Sequence, residues 1–227
     1  MVANLSWGEV HFRTAVFVGC LWVGCAIATA ADYRVEPLKA GKPEGVSPAI
    51  AEQLGEGIKI VRGSSRTVCE IWWFKAWSAS AEKPAAGVLY PFTPGQMVGV
   101  LRFPRKSTDF RNHDIGEGTY TLRYALQPVD GAHVGTSATR DFLLLTPADI
   151  DAKLDIPDYK TLTKQSGKSV GASHPALLSL QKASGESGLR HDEQRDWWLL
   201  AVSGKLKSSD TLSDLQLELV VVGHADE

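Results

Sequence analysis

The stretch GTYTLRYAL (118–126) decides the fold class. Tyr120, Leu122, Tyr124 and Leu126 fall on one side of its two-residue repeat, and Thr119, Thr121 and Arg123 on the other. Such alternation marks a strand with one face on a core and one face in water. LQLELVVV (215–222) repeats it, with Leu215, Leu217 and Leu219 opposed to Gln216 and Glu218. Strand composition also marks 58–62, 66–74, 96–103, 140–145, 176–182 and 197–203, and Gly, Pro, Ser and Asp clusters separate these segments. Gly63-Ser64-Ser65 predicts a hairpin turn between two of them.

Helix signals are few. In VSPAIAEQLG, Ser47 is placed as N-cap, Pro48 at the first helical position and Gly55 as the stop. LTPADIDAKL repeats the pattern with Thr146 and Pro147 and predicts a second short helix. The polar stretch 160–174 reads as a loop with one helical turn at its start. The expected fold is mainly β: an antiparallel immunoglobulin-like β-sandwich with a few short helices. One such domain is expected over 31–227, with a helical and loop excursion at about 146–175.

Residues 1–30 have the form of an export signal peptide. Arg13 is the basic flank, an apolar run covers 15–28, and Ala28-Thr29-Ala30 is an A-x-A cleavage site. The run is shorter than the roughly 20 residues that a membrane span takes. The alternatives are a buried N-terminal helix and lipidation at Cys20 or Cys25, although Phe17 and Trp22 stand where a lipobox has Leu. The expected location is therefore the periplasm or cell surface, with no membrane span in the mature chain.

Removing that segment leaves Cys69 as the single cysteine, so an internal disulfide is excluded and the core alone must hold the fold. Alternation in TVCEIWWF puts Cys69 on one face with Ile71 and Trp73, the setting of a buried, inert thiol. The net charge is −2 with no basic stripe, which speaks against nucleic acid or an anionic membrane as partner.

Catalytic and cofactor motifs are missing. SGKS (166–169) lacks the glycine of a phosphate loop, since Leu162 occupies that place. The two Gly-x-Gly pairs, GEGIKI and GEGTYT, precede strands and read as turns. The sequence holds no H-E-x-x-H or C-x-x-C. No cofactor and no enzymatic activity are expected.

The histidines after the signal are His113, His133, His174, His191 and His224, none spaced as a ligand pair. His113 and His133 bracket the 118–126 strand, which at about 3.3 Å per residue holds them roughly 25–30 Å apart. Asp130 and His133 are the candidate metal ligands, in a loop longer than a tight hairpin needs. Trp72-Trp73 and Trp197-Trp198 lie on strands, where neighbours face opposite ways. One of each pair must lie outside the core or beneath a covering element. His133, Trp72 and Trp198 are therefore the candidate contacts for a protein or glycan partner.

The block GTYTLRYALQPVDGAHVG followed by RDFLLL, with CEIWWFKAW, VGVLRFP and SHPALLSL around it, resembles an uncharacterised family of exported bacterial proteins. The resemblance covers most of the chain after residue 30 and implies export, without an activity. At the level of one hairpin, Gly118-Thr119-Tyr120 leading to Asp130-Gly131-Ala132-His133 is similar to periplasmic copper-resistance carriers. Ala132 lengthens that family's Asp–His spacing, and Ala31-Asp32 lacks its amino-terminal His. The expected function is an exported binding or structural protein. The alternative is a periplasmic copper carrier using the Asp130/His133 loop, since Cu(II) favours imidazole and tetragonal N/O ligands.

Overall fold

The computed structural model describes residues 32–39, 41–129 and 139–225. Along the chain run β1 (Tyr33–Pro37), α1 (Pro48–Gln53), β2 (Leu54–Arg62), β3 (Arg66–Phe74), β4 (Ala76–Ser78) and β5 (Met97–Phe103). Then come β6 (Ser107–Thr108), β7 (Asp114–Ile115), β8 (Gly118–Leu126), β9 (Asp141–Pro147) and α2 (Tyr159–Gly167). β10 (Leu177–Gln181), β11 (Gly188–Asp192), β12 (Trp197–Ser208) and β13 (Thr211–Val222) complete it. The eight strands expected from composition all form, and the protein is mainly β.

The ladders join these strands into one curled sheet in the order β1-β2-β3-β5-β8-β9-β10-β13-β12-β11, while β6 and β7 pair separately. The path is antiparallel throughout. It also returns to its own start. β4 begins one residue after β3 and pairs in parallel with β12, Trp77 opposite Leu206. β3 and its continuation β4 therefore touch both ends of the run β5 to β12, and the sheet curls round on itself. Its inner face is the core, with Ile60, Ile71, Leu101, Leu122, Leu143, Leu180, Leu200 and Leu219 packed across the interior. The two ends of the path, β1 and β11, also meet, and the Tyr33 ring lies 4.9 Å from that of Trp198 on the adjoining β12.

Two expectations about exposure are corrected by what covers the outer face. Thr121 and Arg123 were placed on the wet side of β8, yet both are fully buried. Asp151 from the excursion lies against them. Its Oδ2 accepts from Arg123 Nε at 2.7 Å and its Oδ1 from Arg123 Nη2 at 2.8 Å. The remaining guanidinium hydrogens go to the carbonyls of Gly95, Lys153 and Asp155. Glu218, on the face opposite Leu217 and Leu219, is likewise buried, held by Arg190 Nε at 2.7 Å and the Ser184 amide at 2.6 Å.

The helices differ from expectation at their ends. Ser47 caps α1 and Pro48 opens it, but the helix stops at Gln53 because Leu54 already pairs with Phe74. The helix predicted after Pro147 does not form. β9 runs through Pro147, the Ala148 amide extends its ladder to Thr119 O, and only a turn follows. The excursion instead contains the nine-residue α2, capped by the Asp158 carboxylate on the Thr161 amide at 3.0 Å. α2 docks through Leu162 against Ala125 and Leu144.

Candidate functional site

The sequence-derived candidates scatter. Trp72 is corrected as a contact residue. It is 2 % exposed, lies beneath α1 with Ile50, Leu54, Met97 and Val100, and donates its Nε1 hydrogen to Gly41 O at 3.2 Å. Trp198 keeps part of its surface, with one face stacked on His191 at 4.6 Å and Tyr33 beside it. Asp130 and His133, with most of the loop that carries them, lie outside the described residues. Cys69 is buried in the core as expected, and burial pushes its thiol up to about 12.

The fold brings together two histidines that spacing keeps apart. The His113 and His174 rings stand 4.4 Å from each other beside the buried Asp109. Burial lowers the His174 pKa, with the Arg111 and His113 charges acting in the same direction and Asp109 against them. Among the described residues no three His, Cys, Asp or Glu side chains converge as a metal site.

A different place has the form of a binding site. A cleft of about 360 Å³ opens where the β2–β3 turn, the segment carrying β6 and β7, and the end of β13 meet. That volume is at the small-molecule scale. Val68, Leu178, Val220, Val221 and Val222 supply an apolar wall. Arg62, Arg66, Arg105 and Lys106 stand at the mouth, all exposed. The antiparallel register sets Arg62 directly opposite Arg66. Like charges facing each other across a ladder destabilise it.

Most acids at the cleft are already engaged. Lys106 is neutralised by Asp114 at 2.7 Å. Asp109 is buried, and its oxygens accept from the backbone amides of Arg111, His113 and Leu177. The Arg62 guanidinium lies over the Tyr33 ring, 5.7 Å from its centre. Among the described residues no carboxylate pairs with Arg62, Arg66 or Arg105. A few residues along the same strands the charges do balance: Lys59 meets Glu36 at 3.0 Å and Arg102 meets Glu70 at 2.7 Å. Along β2, β3 and β5 the described ion pairs thus stop short of the strand ends that carry Arg62, Arg66 and Arg105. Ser107 and Thr108 add hydroxyls, and Thr108 Oγ1 lies 3.0 Å from His224 Nε2.

This site was missed at the sequence level, although its parts were visible. Arg62 and Arg66 flank the predicted turn, Arg105-Lys106 follows a strand, and Val220-Val221-Val222 ends one. Only the curl of the sheet brings these ends to one place. Among the described residues no helix is long and apolar enough to cross a membrane. Comparison of the chain with protein-family models, with curated proteins and with solved structures yields no match.

Proposed function

We propose that the protein is an exported binding protein, periplasmic or on the cell surface, that holds an anionic ligand in the cleft and carries out no reaction on it. The observation that carries this reading is the facing pair Arg62 and Arg66, joined by Arg105, with no carboxylate among the described residues to neutralise them. A fold retains such repulsion at a cost, and an anion in the mouth relieves it through charge-assisted hydrogen bonds. Binding rather than catalysis is supported by the state of the other groups. Asp109 is occupied as a backbone acceptor and Lys106 as an ion-pair partner, so neither stands ready as a base or nucleophile. The opposed halves of the curled sheet, read from alternation as an immunoglobulin-like sandwich, serve on this proposal as the rigid frame that holds the strand ends in place.

Thermal melts test the proposal. Phosphate, citrate and hexanoate are expected to raise the midpoint by a few degrees in a saturable way, since a ligand present at about 100 times its Kd adds about 2.7 kcal/mol. The gain should shrink as ionic strength rises. In the double variant Arg66→Gln/Arg105→Gln it should vanish. An equal shift in that variant, or none in the wild type, contradicts the proposal.

A further inference from the structure

We infer that the ligand of this cleft is a small soluble amphiphile: one carboxylate or phosphate head carried on a short apolar chain. The inference rests on the anion-binding reading above and adds the nature of the ligand's other half. The cleft has two chemistries on two sides. Its mouth presents the guanidinium groups of Arg62, Arg66 and Arg105, which bind oxyanions by paired N–H donors. Its wall is lined by Val68 and the Val221–Val222 end of β13, each partly exposed, and by the buried Leu178. A purely ionic ligand leaves that wall in water. A chain lying along it removes apolar surface from water on both partners, worth up to about fourfold in affinity for each methylene fully buried.

The surroundings argue against larger or surface-bound ligands. The volume of about 360 Å³ suits a head and a short chain, not a polymer. Among the described residues the large exposed apolar side chains are Val129, Leu154, Ile156, Tyr159 and Leu212, and none of them borders the cleft. A membrane-docking face inserts large, fully exposed apolar side chains around its cations, whereas the valines here are recessed within the cleft, which favours a free molecule.

Calorimetric titrations of the protein with acetate, hexanoate, octanoate and octyl phosphate test this, each below its micelle concentration. Affinity is expected to rise two- to fourfold per methylene from hexanoate to octanoate, with octyl phosphate also bound. Octyltrimethylammonium should not bind. Arg66→Gln/Arg105→Gln should weaken octanoate at least tenfold. Val68→Asn should flatten the chain-length dependence. Anions bound with no dependence on chain length would overturn the amphiphile and leave the anion site standing. Failure to bind any anion, or equal affinity for octan-1-ol and octanoate, would overturn both. Preferential binding to phosphatidylglycerol vesicles over free octanoate would overturn the free-molecule assignment.

Discussion

Arg123 sits on the face that alternation gives to water, and it is 1 % exposed. Its partner Asp151 lies 28 residues away, on a segment whose own pattern predicts a helix. Nothing local announces that meeting, so this error was built into single-residue reading. Arg123→Ala would leave the Asp151 charge buried without a cation, with the Thr121 hydroxyl as its remaining donor. The expected loss is about 3–5 kcal/mol in urea unfolding. Cys69 was legible, since its neighbours Ile71 and Trp73 fix its face. With its thiol pushed up to about 12 by burial, it should resist a thiol reagent such as DTNB at pH 8 in the folded protein and react at once in urea. His174 was legible only as a solitary histidine. Burial, Arg111 and His113 lower its pKa below the ordinary 6.5, so the unfolded chain binds the proton more readily than the fold does. Stability should therefore be full above that value and fall as pH drops through 6.5 towards the folded pKa. His174→Asn should flatten this part of the wild-type profile of melting midpoint against pH.

At the scale of elements, the strands with clear alternation or dense apolar composition were legible, including β3 and β8 to the residue. The strands missed were β1, β4, β6, β7 and β11, which have two to five residues and too few positions to show a period. α2 was hidden for a related reason: its buried side is Leu162, Ser166 and Gly167, a face without hydrophobic contrast. β4 matters most, because three residues close the curl. Trp77 anchors it, fully buried, with Nε1 donating to Val98 O at 2.9 Å. Gly204 on β12 makes room for that ring, since a Cβ there would fall 2.4 Å from Trp77 Cζ3. Gly204→Ala should therefore force the indole or the strand aside and cost about 1–3 kcal/mol by overpacking. A control, Gly63→Ala, alters a turn with open space and a positive φ. It should cost stability without changing near-ultraviolet tryptophan circular dichroism, whereas Gly204→Ala should change both.

At the scale of the whole molecule, fold class follows from period-2 patterning, but curvature does not. Alternation says which face is buried and is silent on whether the sheet closes on itself or splits into two layers. Closure comes from β4 reaching β12 and from β1 meeting β11, contacts between parts of the chain more than 120 residues apart. The cleft is a product of that curl. Its arginines lie at the ends of β2 and β3 and on the β5–β6 connection, and its valines on β3 and β13, so no window of sequence contains it. The most direct test is an amide NMR titration of the protein with octanoate. The cleft assignment predicts saturable shifts concentrated at residues 62–68, 105–109 and 220–224, lost in Arg66→Gln/Arg105→Gln. Saturable shifts centred on any other part of the sheet, or shifts that grow linearly without saturation, would contradict it.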